Sequence, residues 1–450
     1  MKLTILGGGG FRVPLVHRAL LTDEGPGRVT ELVLQDLDPA RLRTIGRILD
    51  DAENASGRRG PRVHFETDLK AALRGSDFVF SAIRVGGLAG RVCDERAALE
   101  HGVLGQETTG AGGVCYGLRT VPVAMRIAET VRQVAPESYV INFTNPAGMV
   151  TEAMSQVLGD RVVGICDSPV GMFKRVAGAL GIDPDRAVFD YAGLNHLGWL
   201  RRVLVDGEDL LPRLVNDPAA LLGIEEGRLF GPEWLAVLGT IPNEYLWYWY
   251  YTSDAIAAMN RAGSTRGEVL LEQQREFWAG EPSGKAVGDA FARWEHTRLA
   301  REASYMADSR ESTGAGERAE RDLDGGGYDG VALQLMRAIK DDERTTLVLN
   351  VPNRHTLAGL DTDAVVEVPC DVDANGWRPY ATAPLDPHAF GMVATMKAIE
   401  RSTIEAAMSG SYAAATKALA LHPLVGSVTT ARGILETQLA SSPELRRVLG

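Results

Sequence analysis

The first residues that could do chemistry are four consecutive glycines after a short apolar run: Gly7, Gly8, Gly9 and Gly10. At a strand-to-helix turn, glycines let the backbone approach a pyrophosphate, which the N–H groups of the helix N-terminus then bind. The third glycine of the usual fingerprint is replaced by Arg12. Asp36 ends the second apolar run, where a carboxylate accepts from ribose hydroxyls and disfavours a 2′-phosphate. The pattern favours an NAD site; a tight turn of another α/β protein is the alternative.

A second polar segment follows the fourth apolar run and contains Arg84, Arg91 and the sequence GQETTG at 105–110. Ligands of open α/β sheets bind beyond the carboxyl ends of the strands. Arg91 can hold a phosphate or carboxylate through two hydrogen bonds. Because glycines and polar residues are concentrated here, we expect a functional loop rather than a solvated connection, with Arg84 on the cofactor side.

The fifth and sixth apolar runs also end in polar residues. Asn145 precedes Pro146, where it can cap a helix, contact a substrate, or do both. Cys166 ends the sixth run and His196 follows downstream; a thiolate and an imidazole suit a borderline divalent cation. Their spacing alone does not distinguish a metal ligand from a buried cysteine that acts as a small hydrophobe.

An aromatic run at 242–251 contains four tyrosines. On a helix, Tyr245, Tyr248 and Trp249 would share a face, and packing in a core or interface is the ordinary role of such a face. A tyrosinate can also act as a base if a cation lowers its pKa.

The elements that position these residues follow from periodicity. Apolar runs predict strands at 3–6, 29–34, 63–65, 78–83, 139–143 and 162–165. Amphipathic patterns between them predict helices at 13–21, 39–51, 68–73 and 123–134, the last with Pro122 in its first turn. This alternation predicts an α/β fold with a doubly wound, Rossmann-like parallel sheet.

Beyond residue 195 the pattern changes to longer helices and a few strands. Helices are predicted at 266–277, 330–339, 393–408, 412–420 and 428–439, and strands at 347–349 and 365–368. The polar, glycine-rich segment 307–327 predicts a mobile surface loop. We therefore divide the chain into an NAD-binding domain, residues 1–170, and a mixed α+β domain, residues 171–450, for substrate, metal and oligomer contacts.

Composition excludes several classes of function. The 450 residues include 47 Lys and Arg against 59 Asp and Glu, a net charge of −12, which disfavours binding to nucleic acids or anionic membranes. Four cysteines without a CxxC pair do not make a disulfide framework. No apolar run reaches about 18 residues, and no signal peptide is visible. We expect a cytoplasmic protein.

Together these motifs resemble glycoside hydrolase family 4, an NAD- and divalent-metal-dependent family related in fold to lactate and malate dehydrogenases. The matching stretches, spread over essentially the whole chain, are 5–9, 83–113, 142–147, 164–169, 193–198, 350–353 and 366–369. The resemblance implies that NAD oxidises a sugar at C3, the C2 proton is removed, the C1 aglycone is eliminated, water adds and the hydride returns. It also implies a metal, Mn²⁺, that binds the C2 and C3 oxygens.

The resemblance assigns roles to individual residues. Cys166 and His196 match the metal ligands of the family. Tyr245 matches its tyrosine base, with Tyr248 as the fallback. Asp167 follows the metal cysteine and is placed to protonate the departing oxygen.

Substrate contacts are implied in the same way. Asn145 matches a substrate-binding asparagine and Arg91 a phosphate-binding arginine. Phospho-glycosidases of the family usually have serines after the third glycine, where this chain has Gly10, Phe11 and Arg12. We expect Arg12 to replace the missing phosphate contact.

The resemblance also bears on the substrate. An aspartate at 167 argues against the unphosphorylated α-glycosidases and leaves the anomer open. The segment 86–107 is most similar to the 6-phospho-β-glucosidase branch, whose substrates include cellobiose 6-phosphate. We expect such an enzyme, as a homodimer or homotetramer. The alternatives are a 6-phospho-α-glucosidase or another family 4 glycosidase, an NAD-dependent 2-hydroxy-acid dehydrogenase and a nucleotide-sensing regulator.

Overall fold

The computed structural model describes residues 1–279, 289–318 and 327–450. All thirteen strands of this described part belong to one sheet, in the order β10-β8-β7-β12-β11-β6-β5-β4-β1-β2-β3, with β13 beside β12 and β9 beside β8. The strands are β1 (Lys2–Leu6), β2 (Glu31–Gln35), β3 (Arg62–Glu66), β4 (Phe78–Ser81), β5 (Tyr139–Asn142), β6 (Val162–Gly164), β7 (Val188–Leu194), β8 (Leu197–Val205), β9 (Glu208–Asp209), β10 (Ile241–Pro242), β11 (Thr345–Pro352), β12 (Val365–Asp373) and β13 (Gly376–Pro379).

Helices surround this sheet. Those of the first 180 residues are α1 (Val13–Leu21), α2 (Pro39–Ser56), α3 (Leu69–Leu73), α4 (Gly87–Glu100), α5 (Ala111–Val134), α6 (Ala147–Leu158) and α7 (Ser168–Leu180). Those that follow are α8 (Leu211–Val215), α9 (Pro218–Leu222), α10 (Glu225–Phe230), α11 (Pro232–Leu238), α12 (Trp247–Tyr250), α13 (Thr252–Ala262), α14 (Arg266–Ala279), α15 (Asp289–Ala303), α16 (Ala307–Thr313), α17 (Tyr328–Asp341), α18 (Pro387–Ser409), α19 (Tyr412–Leu421), α20 (Val428–Ser441) and α21 (Pro443–Leu449). Short 3₁₀ helices span Gly159–Arg161, Pro184–Arg186 and Glu244–Leu246.

The parallel half of the sheet confirms the predicted fold class. Strands β3, β2, β1, β4, β5 and β6 pair in parallel, with helices between consecutive strands. Local signals explain where the helices begin: the Asp38 side chain accepts from two backbone N–H groups at the start of α2, and Asp68 does the same once for α3. All six predicted strands lie within one or two residues of their predicted bounds.

The remaining strands extend the same sheet in antiparallel fashion. Strand β11 pairs with β6 at Asn350 and Gly164, and β12 pairs with β7 at Glu367 and Gly193. The second half is therefore mixed α+β, as predicted, and its strands are hydrogen-bonded directly to those of the first half. The division at residue 170 stays a prediction.

Three local predictions are wrong or incomplete. Residues 87–100 of the loop expected between the fourth strand and GQETTG form helix α4, because buried polar residues such as Arg91 and Glu95 hide its helical pattern. Pro122 lies inside α5 rather than in a first turn, because that helix already begins at Ala111. Of the expected loop at 307–327, residues 307–313 form α16, and residues 319–326 lie outside the described part.

Buried apolar side chains join the two halves. The largest cluster contains residues of β1, β7, β8, β11 and β12, and a second cluster packs α18, α19 and α20 against α4 and α5. Across residues 1–279, 289–318 and 327–450, no helix has the length and apolar character needed to cross a membrane.

Candidate active site

A cavity of about 1890 Å³ lies at the carboxyl ends of β1, β2, β4, β5 and β6, and residues of the second half close it. A site for one drug-sized ligand occupies roughly 300–1000 Å³, so this cavity has room for a dinucleotide and a sugar phosphate together. The predicted site residues that line it are Gly7, Gly10, Arg12, Asp36, Arg84, Arg91, Asn145, Cys166, Asp167, His196 and Tyr245. Gly8 and Gly9 belong to the same turn and are buried.

The glycine turn has no room for side chains. Gly7 has a φ of 82°, and a Cβ there would lie 2.7 Å from the carbonyl oxygen of Ala82. A Cβ on Gly8 would lie 2.7 Å from Leu34. The N–H of Gly9 donates to Oδ2 of Asp36 at 2.9 Å, so this carboxylate both holds the turn and faces the cavity. A bare backbone turn beside a carboxylate fits the pyrophosphate and ribose of a dinucleotide.

Arg84 and Arg91 both contact one carboxylate, Glu107. Nη2 of Arg84 lies 2.8 Å from Glu107, and Nη1 of Arg91 lies 2.9 Å from it. Burial alone would raise the pKa of Glu107, but the two guanidiniums bring it to about 2. Nε of Arg91 also donates to Glu95 at 2.7 Å. Arg91 thus reaches the cavity, as predicted, with two carboxylates already beside it.

Two further arginines, which the sequence reasoning missed, carry less compensated charge. Among the described residues, the guanidinium of Arg301 has no hydrogen bond or ion pair and lies 5.8 Å from the ring centroid of Phe11. Burial and the nearby Arg12 lower the pKa of Arg301 to about 9. Arg266 donates to the hydroxyl of Ser304 at 2.8 Å. Excess positive charge in a cavity wall fits an anionic ligand, and no sequence signal marked these residues within ordinary helical patterns.

Arg12 lies in the same wall. Its Nη2 is 3.3 Å from Oε1 of Glu302, which Arg318 also contacts at 3.1 Å. The structure thus brings Arg12 to the cavity, as expected, and gives it a carboxylate partner.

Cys166 and His196 reach the cavity from different elements. Cys166 follows β6 and is buried; burial, Glu367 and Asp167 raise the pKa of its thiol well above the ordinary value. His196 lies with Asn195 in the two-residue turn between β7 and β8, with a φ of 63°. A left-handed conformation is uncommon for a residue other than glycine and is held where the surroundings require it.

The imidazole of His196 is in the form that a metal ligand needs. Burial lowers its pKa to about 4, so it is neutral near pH 7. Nδ1 lies 3.0 Å from the hydroxyl of Thr108, which leaves Nε2 for a ligand. No group of three or more His, Cys, Asp or Glu side chains in the described part could hold a metal ion. A cation at Cys166 and His196 would therefore need further ligands from the substrate or water, which fits a site open to a cavity.

Tyr245 is placed beside this pair. Its ring stacks on His196 with centroids 3.7 Å apart and planes inclined by 3°. Its hydroxyl lies 3.1 Å from that of Tyr305, which donates to Glu244 at 2.8 Å. Burial, followed by Glu107 and Glu244, raises the pKa of Tyr245 above its ordinary value. The phenol stays protonated unless a positive charge is placed beside it, so a cation at His196 fits here too.

The expected common face of the aromatic run is only partly present. Tyr245 belongs to a 3₁₀ helix, and α12 begins after it at Trp247. Tyr248 lines the main cavity, but Trp249 stacks on His422 at 5.5 Å and lines a second, smaller cavity. The prediction for Trp249 is therefore wrong, because the change of helix type alters the angle between successive side chains.

Asp167 and Asn145 complete the set. Burial raises the pKa of Asp167 above its ordinary value, although Arg12 opposes this. Oδ1 of Asn145 is buried and makes no hydrogen bond within the described part of the chain. Asn145 does not cap α6, because Pro146 occupies the position before that helix. An unpartnered amide oxygen in the wall of a cavity fits a ligand that donates hydrogen bonds.

Comparison with known families decides the identity of this arrangement. The profile described as Family 4 glycosyl hydrolase matches residues 2–182, and that of the Family 4 glycosyl hydrolase C-terminal domain matches residues 191–425. The chain belongs to family 4 of the glycosyl hydrolases. The predicted family is therefore confirmed.

Individual relatives are similar over nearly the whole chain. A probable 6-phospho-beta-glucosidase of Bacillus subtilis is 32% identical, over 98% of this chain and 96% of that protein. A 6-phospho-alpha-glucosidase of Lacticaseibacillus paracasei is 29% identical, over 99% of each. A solved 6-phospho-beta glucosidase of Thermotoga maritima, with manganese, NAD+ and glucose-6-phosphate, is 25% identical with a TM-score of 0.82, over 99% of each chain. Relatives of both anomeric specificities thus resemble this family 4 chain.

Proposed function

We propose that this family 4 enzyme hydrolyses 6-phospho-glucosides, β-linked in preference to α-linked, with NAD and a divalent cation, Mn²⁺. One observation carries the proposal: Cys166, His196 and Tyr245 lie in the same cavity as the glycine turn. The ligands named for the Thermotoga maritima structure support it.

Different residues of the cavity would hold the dinucleotide and the cation. The turn Gly7–Gly10 and Asp36 would hold the dinucleotide, with Arg84 on the same side. Cys166 and His196 would hold the cation. When bound, NAD supplies a hydride acceptor and the cation supplies Lewis-acid polarisation of sugar oxygens.

Two residues would move protons. The Tyr245 oxygen takes the proton from C2 of the sugar, and the Tyr305 hydroxyl lies 3.1 Å from that oxygen. Asp167 gives its proton to the departing C1 oxygen, a role suited to a carboxyl whose pKa is raised by burial.

The 6-phosphate would lie against the arginines. Arg91 and Arg12 were expected there, and the geometry adds Arg266 and Arg301, which face no bonded carboxylate among the described residues. Asn145 would orient the sugar through its unpartnered Oδ1. A cytoplasmic location and a homodimer or homotetramer stay predictions.

The preference for β-linked substrates rests on the similarity of segment 86–107 to the β branch, and the identity of 32% to the Bacillus subtilis relative supports it. An assay with p-nitrophenyl β- and α-glucoside 6-phosphates and both unphosphorylated glucosides, with and without NAD+ and Mn²⁺, tests the proposal. We expect hydrolysis of the phosphorylated β-glucoside only when both additions are present. Faster hydrolysis of the α-glucoside 6-phosphate would show that the enzyme prefers α-linked substrates. Reduction of a keto acid by NADH without metal would indicate the dehydrogenase, and NAD binding without any hydrolysis would indicate the regulator.

A further inference from the structure

Glu367 is a buried carboxylate in the middle of β12, with 0% of its surface exposed. Its Oε1 accepts hydrogen bonds from Nδ2 of Asn195 at 3.0 Å and from Nδ2 of Asn350 at 2.9 Å. Its Oε2 accepts from the hydroxyl of Tyr191 at 3.1 Å. All three donors are neutral, and no Lys, Arg or His of the described part forms a salt bridge with this carboxylate. Because no opposite charge compensates it, burial raises the pKa of Glu367 to about 7, and a cation nearby would stabilise its charged form.

The two asparagines connect this carboxylate to both expected metal ligands. Asn195 directly precedes His196 in the turn between β7 and β8. Asn350 pairs with the last residue of β6, two residues before Cys166. Glu367 therefore accepts a hydrogen bond from the residue before His196 and from a residue paired with the strand that leads to Cys166. Carboxylates behind metal ligands commonly orient them in this way.

Charge balance points to the same place. A thiolate at Cys166 and a neutral imidazole at His196 leave a divalent cation with one positive charge uncompensated. In its charged form, Glu367 would supply the missing negative charge from behind the two asparagines. Asp167, the other carboxyl near Cys166, is close to Arg12 and Arg318.

We propose that Glu367 is a positioning residue for the divalent cation. Through Asn195 and Asn350, Glu367 holds the His196 turn and the end of β6, and its charge balances that of the cation. The inference rests on the proposed function only in taking Cys166 and His196 as the ligands. It goes beyond it in assigning a role to a residue that does not itself face the substrate.

The test measures binding of Mn²⁺, without any sugar, to the full chain saturated with NAD+. The electron paramagnetic resonance signal of free Mn²⁺ gives the affinity. Glu367→Gln keeps the size of the side chain and removes its charge. We expect it to weaken Mn²⁺ binding by about 10- to 100-fold while leaving NAD+ affinity unchanged. Glu152→Gln is the matched control, because Glu152 is a buried carboxylate of α6 that pairs with Lys397 at 2.8 Å. Its Mn²⁺ affinity should equal that of the wild type.

The outcomes separate this inference from the proposed function. If the wild type does not bind Mn²⁺, the metal dependence proposed above fails and the role of Glu367 fails with it. If the wild type binds and Glu367→Gln binds equally well, only the inference is overturned. Should Glu367→Gln fail to fold, Asn195→Ala removes the hydrogen bond next to His196 without burying a new charge. That variant should bind Mn²⁺ at least about tenfold more weakly, and wild-type affinity would overturn the inference.

Discussion

Arg91 and Arg301 face the same cavity in opposite electrostatic situations. Arg91 is hydrogen-bonded to Glu95 and contacts Glu107, so its charge is largely compensated before any ligand arrives. Arg301 has no hydrogen-bonded partner among the described residues, and burial and other arginines lower its pKa to about 9. An anion would therefore gain more from Arg301, whereas removing Arg91 would leave the buried Glu95 without its charged partner and Glu107 with Arg84 alone.

We expect Arg301→Ala to raise KM for the phosphorylated glucoside about ten- to a hundredfold, because a hydrogen bond to a charged group contributes about 1.5–3 kcal/mol. Its melting temperature should stay near that of the wild type. Arg91→Ala should raise KM by at least about tenfold and also lower the melting temperature. Steady-state kinetics and thermal unfolding measure both quantities, with the exposed Arg132→Ala as control. If Arg301→Ala left KM for the phosphorylated glucoside unchanged, Arg301 would not contact the 6-phosphate.

A substitution at Cys166 tests the proposed cation site. Cys166→Ser replaces a thiol, which would bind a cation as its thiolate, by a hydroxyl, a much poorer ligand for a borderline cation. We expect loss of hydrolysis with NAD+ affinity retained, since the glycine turn and Asp36 are untouched. Titration of NAD+ by fluorescence, beside the hydrolysis assay, gives both values. Turnover by the variant in the presence of a chelator would rule out a ligand role for Cys166.

Tyr245 and Tyr248 both line the cavity, but only Tyr245 stacks on His196. We expect Tyr245→Phe to lower kcat by about 10²- to 10⁴-fold, and Tyr248→Phe to lower it by less than about tenfold. If C2 deprotonation is on the path, product formed by the wild type in D₂O carries deuterium at C2, which NMR detects. Product free of deuterium would indicate a mechanism without a tyrosine base.

At the scale of elements, helices α4 and α5 are joined by an ion pair within the core. Arg119 of α5 donates to both oxygens of Asp94 of α4, at 2.7 and 2.6 Å, and both side chains are 2% exposed. Arg119 also lies over the ring of Tyr116, which places it behind the wall that carries Arg84. This pair thus fixes the helix on which Arg91 depends.

Breaking this pair should therefore be costly. We expect Arg119→Met to lower the free energy of unfolding by about 3–5 kcal/mol, because Asp94 would be left as an unpaired buried charge. The exposed pair between Arg161 and Glu137 is the control, and Arg161→Met should cost less than about 1 kcal/mol. Urea unfolding of both variants measures the difference. Equal costs at the two sites would show that burial of the α4–α5 pair is unimportant.

Element prediction succeeded where one face of a segment is apolar and failed where it is not. Strand β1 and helix α1 have clear periodicity and were predicted within a residue. Helix α4 was missed because its buried face carries charged residues whose partners come from distant segments. Arg91 and Glu367 both lie in stretches that carry the family resemblance, but only Arg91 received a role from it. The surroundings of Glu367 and Arg301 depend on contacts with distant segments, such as that of Asn195 with Glu367 and that of Phe11 with Arg301.

In the whole molecule, the parallel and the antiparallel halves are joined through one shared sheet. This sheet runs from β3 to β10 through both, and the C-terminal helices α18–α20 pack back onto α4 and α5. The two proposed metal ligands are divided accordingly: Cys166 follows the parallel strands, and His196 lies in the turn of the antiparallel hairpin. Global unfolding should therefore abolish both cofactor sites together rather than in sequence.

The pH dependence of stability should reflect His422, which joins α19 to α20 with its ring fully buried. Nδ1 accepts from the N–H of Leu424 at 3.1 Å, Nε2 has no partner in the described part, and burial lowers the pKa from 6.5 to about 3. Between these values the unfolded chain binds more protons than the folded one, so stability falls as pH falls below 6.5, by up to about 1.4 kcal/mol per unit. His422→Asn keeps an acceptor for Leu424 and does not titrate. Urea unfolding at pH 7.5 and 5.5 should show a smaller loss in this variant than in the wild type or in the exposed His64→Asn control. An equal loss in all three proteins would assign the acid sensitivity to other groups.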